Sequence, residues 1–169
     1  MSDPSPWLTA HRHLLPVSGD ALDLACGSGR NAIWLAEAGF QTLGVDRNAT
    51  ALDTLNYEAA QRELPIRTQV VDLENGDPFL EANTFDLIVV VHYLHRPLFP
   101  DLVRALRPRG VLVYETFTRA QAARGKPTNP AFLLEPGELI ALLRPLEILV
   151  SREGDFEGRM VASVVALRR

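Results

Sequence analysis

From residue 20 onward the sequence alternates short apolar runs with amphipathic stretches. The apolar runs predict strands at residues 21–24, 42–45, 67–71, 87–91 and 111–114. The stretches between and after them have helical spacing, at residues 30–38, 49–63, 97–106 and 136–143. Strands of nearly continuous apolar character that alternate with helices predict a parallel sheet covered on both faces. The expected fold is therefore α/β and doubly wound.

The last part of the chain breaks this alternation. Two β-rich runs, at residues 146–150 and 161–167, are joined by residues 151–160, which have no helical period. Two strands joined in this way form a hairpin, so one strand must run antiparallel to its neighbours. Together with the five earlier strands, this predicts a Rossmann-like, mostly parallel seven-stranded sheet with a C-terminal antiparallel hairpin.

Length and composition favour a single domain over residues 1–169. A chain of this length is about the size of one hydrophobic core, and 47% hydrophobic with 22% charged residues is typical of globular proteins. Residues 1–19 hold a short helical stretch between prolines, which we interpret as a leader helix segment. Residues 116–134 have no clear period, and they are either a functional lid over a substrate or partly ordered surface chain.

Charge and cysteine content exclude several classes of function. The 17 Lys and Arg residues are outnumbered by 21 Asp and Glu residues, and a net charge of −4 is unfavourable for binding nucleic acid. No apolar run reaches the roughly 18 residues of a membrane span. The single cysteine, Cys26, offers neither an internal disulfide nor metal-ligand spacing, and no signal peptide is recognisable. We expect a cytoplasmic protein with a small-molecule substrate, without a metal, and of undetermined oligomeric state.

The first predicted strand runs into a glycine-rich turn. Gly27 and Gly29 allow a tight turn whose backbone approaches a ligand at the N-terminus of the next helix, although ordinary strand-to-helix turns also use glycine. The first three strands each end in or near a carboxylate, contributed by Asp23, Asp46 and Asp72. Ligands of doubly wound sheets bind at this carboxyl edge. The combination predicts a nucleotide site.

At these residues the chain resembles the class I S-adenosylmethionine (SAM)-dependent methyltransferases. The run LDLACGSG at residues 22–29 is similar to the first motif of the family, and the match continues through Asp46, Asp72, residues 85–88 and the turn at residues 109–110. Arg30-Asn31 and the run YLHR at residues 93–96 resemble the small tellurite-resistance-type branch. The resemblance covers about residues 18–169.

This resemblance implies SAM as the cofactor and a role for each motif residue. Asp23 would meet the methionine amino group, and Asp46 would hold the ribose diol. The backbone of the turn would follow the methionyl and ribose portions, at Ala25, Cys26, Gly27 and Gly29. Three further positions are implied at the adenine, with Asp72 and Leu73 at its edge and Arg47 or Asn48 over one face.

Acceptor-side residues are expected where the fourth and fifth strands end. A sulfonium makes a methyl group electrophilic, so the protein must hold a nucleophile in line at about 3–3.5 Å and exclude water. His92 is the preferred catalytic base or orienting group, and Glu115 is the second candidate unless it pairs with an arginine. Predicted substrate contacts are Arg30, Tyr93, His95 and Arg96. A cationic rim for an anionic acceptor is predicted from Arg96, Arg119, Arg124 and Lys126.

Three functions remain open from the sequence. The first is SAM-dependent methyl transfer to a small-molecule acceptor, with a soft or anionic nucleophile as the expected class. The second is an NAD-dependent Rossmann oxidoreductase, because the same glycines with Asp46 fit the dinucleotide fingerprint, although Asp23 would repel a pyrophosphate. The third is a non-catalytic SAM-binding protein, since the acceptor side carries no diagnostic motif.

Overall fold

Seven strands form one mixed sheet in the computed structural model, which describes residues 1–169. The strands are β1 Gly19–Leu24, β2 Phe40–Asp46, β3 Ile66–Val70, β4 Phe85–Val91, β5 Leu106–Phe117, β6 Glu147–Phe156 and β7 Arg159–Leu167. Their order across the sheet is β3-β2-β1-β4-β5-β7-β6. Strands β1 to β5 run parallel, and β7 lies antiparallel between β5 and β6. The predicted α/β fold with a seven-stranded sheet and a C-terminal hairpin is confirmed.

Five short helices cover the sheet. They are α1 Pro6–Ala10, α2 Arg30–Glu37, α3 Ala49–Gln61, α4 Phe99–Ala105 and α5 Glu138–Leu142. The start of α3 follows from its sequence, because the side chain of Asn48 accepts a hydrogen bond from the Ala51 amide. No helix combines the length and the apolar character that crossing a bilayer requires.

The apolar runs of the central strands are buried on both faces of the sheet. Leu22 and Ile88 belong to one buried cluster, whereas Leu87 and Val89, on the alternate positions of β4, belong to another. Because consecutive residues of a strand point to opposite faces, a strand covered on both sides must be apolar throughout. The second cluster also takes up Trp7 and Leu8 of α1, so the leader segment packs against the sheet.

The terminal hairpin is longer than the sequence predicted. Residues 151–156 and 159–160, expected in the connection, lie in β6 and β7, and only Glu157 and Gly158 form the turn, both with positive φ. Strand β6 is an edge strand on which partly buried and exposed residues alternate, so a search for apolar runs misses its second half. Strand β5 likewise extends to Phe117, so the predicted lid begins inside a strand.

Candidate active site

The two glycines of the turn between β1 and α2 serve different purposes. Both have positive φ, 56° at Gly27 and 89° at Gly29. A Cβ on Gly29 would collide with the side chain of Leu55, so this glycine allows α3 to pack against the turn. A Cβ on Gly27 would meet nothing within 4 Å. The backbone at Gly27 therefore borders free space that a ligand can fill.

Asp46, the last residue of β2, ties that strand to the glycine turn. One carboxylate oxygen accepts a hydrogen bond from the Gly27 amide at 2.8 Å, and the other accepts from the Asn48 amide at 2.9 Å. A carboxylate offers about four acceptor positions, so capacity for two hydroxyl donors remains. This geometry suits the ribose diol predicted for Asp46.

Asp23 is a buried acid with an unused oxygen. Asp23 is 1% exposed, and its Oδ2 atom has no hydrogen-bond partner. Burial raises the pKa of Asp23 to about 7, although the charge of Arg30 opposes this rise. Native proteins seldom leave a buried carboxylate oxygen unpaired. An ammonium group placed beside it would complete the site.

A cavity of about 720 Å³ opens at the carboxyl edge of the sheet. Seven of the predicted site residues line it. Five were predicted to contact the cofactor, Ala25, Asp46, Arg47, Asp72 and Leu73, and two were predicted on the acceptor side, His92 and Tyr93. Seven residues of the segment 116–134 form one wall, among them Phe117, Lys126 and Phe132. That segment therefore borders the cavity, and its role as a lid stays a prediction.

His92 stands directly after β4, with φ 58°, where its amide donates to the Glu115 carbonyl at 2.8 Å. Its ring stacks on Phe117 with 4.6 Å between the ring centres. Burial, aided by the charges of Arg30 and Arg159, lowers the pKa of His92 to about 4. The imidazole is therefore neutral at pH 7. It can accept a hydrogen bond there, but it is a weak base.

A second, smaller compartment of about 20 Å³ also has His92 in its lining. Its charged lining residues are three arginines and two glutamates, Arg30, Arg152, Arg159, Glu115 and Glu157, and Ser5 of the leader segment lines it as well. His92 is the one residue that lines both spaces. We call this space the arginine compartment.

The arginine compartment is built around the side chain of Arg152. Its guanidinium lies 3.8 Å from the ring centre of Phe156 and 4.7 Å from that of Trp7. Its Nη2 atom pairs with Glu115 Oε2 at 3.2 Å, and the same oxygen accepts from the Ser163 hydroxyl. Glu115, the second candidate for a catalytic base, lines this compartment and not the main cavity, and it makes the arginine pair that was its alternative interpretation. It orients Arg152.

Several predicted residues lie elsewhere or act differently. Arg96 does not reach the cavity, because it pairs with Glu138 and donates to the carbonyl groups of Ala131 and Leu133. Arg96 thus links the segment 116–134 to α5, and its hydrogen bond to Glu138 lowers the pKa of that carboxyl group. His95 lies 3.6 Å from Glu74, a cavity residue.

The predicted cationic rim does not form. Arg119 pairs with Glu135 and Arg124 pairs with Asp155, both at 2.6 Å, which leaves Lys126 as the one member that lines the cavity. Cys26 lies against Gly44, and burial raises the pKa of its thiol. The sequence did not identify Ser5, Arg152 and Arg159, which lie far from every recognised motif.

Comparison with known proteins decides the family. Residues 21–110, about half of the chain, match the family described as methyltransferase domain. The chain belongs to this methyltransferase family. The glycine turn, Asp46 and Asp72 all lie within the matched residues, as do most of β1 and all of β2 to β4.

Relatives of the methyltransferase include YqeM of Bacillus subtilis, whose name describes a methyltransferase. It is 29% identical over 132 residues, which are 73% of this chain and 51% of YqeM. A second relative is TehB of Haemophilus influenzae, named as a SAM-dependent methyltransferase, at 29% identity over 89 residues, which cover 51% of this chain and 30% of TehB. The chain thus spans about half of the length of YqeM and about a third of that of TehB.

Solved structures share the fold of the methyltransferase. TehB of Haemophilus influenzae superposes with a TM-score of 0.76 at 21% identity over 96% of this chain and 61% of that one. A SAM-dependent methyltransferase of Methanosarcina mazei superposes with a TM-score of 0.77 at 19% identity over 99% of both chains. The expected membership of the class I SAM-dependent methyltransferases, in the TehB-like branch, is confirmed.

Proposed function

We propose that this methyltransferase binds SAM over the glycine turn and transfers the methyl group to a small anionic nucleophile. The observation that carries the proposal is the difference in charge between the two spaces that share His92. The main cavity is lined by three carboxylates and two cationic side chains, whereas the arginine compartment is lined by three arginines and two glutamates. A cationic cofactor and an anionic acceptor match this division of charge.

Three features of the cofactor side fit SAM. The open backbone at Gly27 leaves room for the ligand, Asp46 has acceptor capacity for the ribose, and the unpaired oxygen of Asp23 suits the methionine ammonium. When bound, SAM supplies a methyl group made electrophilic by its sulfonium. Family membership favours this cofactor over a nicotinamide nucleotide.

The acceptor side lacks a strong general base. His92 is a weak base, because burial lowers its pKa to about 4. Glu115 is held by Arg152 and Ser163. An amine or alcohol would have to lose a proton to such groups, whereas a thiolate, carboxylate or other oxyanion arrives ready to react. His92 then orients the acceptor, and Phe117 beside it excludes water.

Two measurements test the proposal. Calorimetric titration compares SAM with NADH, and a panel of acceptors is then screened for release of S-adenosylhomocysteine. We expect binding of SAM alone, with turnover on thiols or oxyanions and little on amines. NADH binding without SAM binding contradicts the cofactor assignment. Tight SAM binding without product from any acceptor supports a non-catalytic SAM-binding protein instead.

A further inference from the structure

Ser5 has a buried hydroxyl group that nothing in the protein satisfies. The residue is 1% exposed, and its Oγ atom has no hydrogen-bond partner. It lines the arginine compartment together with Arg30, Arg152 and Arg159. Removing a hydroxyl from water without giving it a partner is unfavourable. An unpartnered donor beside three cationic side chains indicates that a ligand with acceptor oxygens belongs there.

The hydroxyl is held in position by its surroundings. The Ser5 amide donates to the side-chain oxygen of Asn31 at 2.8 Å. Two nearby residues, Trp7 and Leu8, anchor α1 in the core. The indole N–H of Trp7 donates to the Val164 carbonyl at 3.2 Å, and Leu8 is fully buried. The leader segment therefore presents Ser5 from a fixed support.

The charges of the compartment favour an anion. The compartment's lining holds three arginines against two glutamates, Glu115 and Glu157. Glu115 is already engaged by Arg152 and Ser163, and neither Glu157 nor Arg159 forms an ion pair. Arg30 donates only to the backbone carbonyl of Asp3, at 3.2 Å. Guanidinium groups with free donors bind carboxylates and other oxyanions in directed hydrogen bonds.

We infer that Ser5 is an acceptor-binding residue, whose hydroxyl donates to the anionic end of the methyl acceptor beside Arg30 and Arg152. This inference rests on the proposed function. A space of about 20 Å³ admits about one water-sized group, so it takes only the charged end. The nucleophilic atom then lies beyond His92, toward the main cavity. Ser5 thereby selects acceptors that carry a compact oxyanionic group.

Acetate is a suitable probe, because it is a minimal carboxylate and its binding can be followed without turnover. The indole N–H of Trp7 reports on the compartment, since its ring stacks on Arg152. Its NMR resonance is identified with a Trp34→Phe variant and followed during titration at constant ionic strength, with and without S-adenosylhomocysteine. The test variant is Ser5→Ala. The matched control is Thr9→Val. It removes a hydroxyl from the same segment, and that hydroxyl donates only to the Pro6 carbonyl.

We expect acetate to shift the Trp7 resonance saturably, and Ser5→Ala to weaken acetate about tenfold, the effect of one hydrogen bond to a charged group. Thr9→Val retains the acetate affinity, and both variants retain SAM affinity in calorimetry. Equal acetate affinity in Ser5→Ala and the parent, or no acetate shift at all, overturns the assignment of Ser5. Failure of the parent protein to bind SAM contradicts the proposed function. It can be told apart from failure of the Ser5 assignment, because acetate binding is also measured without the cofactor.

Discussion

Replacing Asp23 by asparagine should stabilise the fold and weaken the cofactor site at the same time. The carboxyl is buried and its pKa is raised to about 7, from an ordinary value of 3.8. A group with a higher pKa in the folded state stabilises the protein at low pH, and this stabilisation is lost as the pH rises through 7. At pH 7 the wild-type protein thus carries a cost that an uncharged side chain of the same shape avoids.

The size of the effect follows from the shift. At about 1.4 kcal/mol for each pKa unit, ionising Asp23 at pH 7 costs about 4 kcal/mol relative to the unfolded chain. The asparagine amide still lies buried without a full set of partners, which costs about 1–3 kcal/mol. The net gain for Asp23→Asn is therefore about 2 kcal/mol. In a protein of this size, that raises the melting temperature by about 4–8 °C.

Thermal unfolding at pH 7 and pH 5 tests this reasoning. At pH 5 the wild-type carboxyl is mostly protonated when folded, so the ionisation cost falls below about 2 kcal/mol and the advantage of Asp23→Asn disappears. Calorimetry at pH 7 should show SAM binding weakened by about tenfold or more, because the charge that meets the ammonium is gone. The control is Asp101→Asn, an exposed aspartate paired only with Arg104. If Asp23→Asn is no more stable than wild type at pH 7, the argument from burial is refuted.

Three further outcomes are expected. Asp46→Asn should weaken SAM binding by about 1–3 kcal/mol in calorimetry, since a neutral amide replaces a charged acceptor. Unchanged affinity would refute Asp46 as the residue that binds the ribose diol. His92→Ala should slow turnover while SAM affinity stays near normal, and the wild-type rate should show no titration of His92 between pH 6 and 8, because its pKa is near 4. Gly29→Ala should unfold at lower denaturant than Gly27→Ala, which has space for its methyl group and should mainly lose SAM affinity; the reverse order would contradict the two roles.

Much of the sheet could be predicted because its central strands are buried on both faces. Such strands must be apolar at every position, and β4 shows this over most of its length. The second half of β6 escaped prediction because alternating exposure at a sheet edge leaves no apolar run. The carboxylates at the strand ends could be predicted from their positions in the sequence, since parallel strands bring their carboxyl ends to one edge of the sheet.

The arginine compartment could be predicted only in part. Arg30 was among the expected substrate contacts, but Ser5 and Arg152 come from separate segments that only the folded chain brings beside it, and no sequence spacing relates them. The two glycines looked equivalent in the sequence, because the contact that distinguishes Gly29 is with Leu55 of α3. The stacking of Arg152 between Trp7 and Phe156 likewise depends on the hairpin lying beside α1.

The position of β7 has a consequence for the order of assembly during synthesis. Strand β7 is the last of the seven to leave the ribosome, yet it lies inside the sheet and separates β5 from β6. Strands β1 to β5, with the glycine turn, can pair while the hairpin is still in the exit tunnel. Arg152 and Arg159 lie in β6 and β7, so in a nascent chain the glycine turn can form before the arginine compartment does.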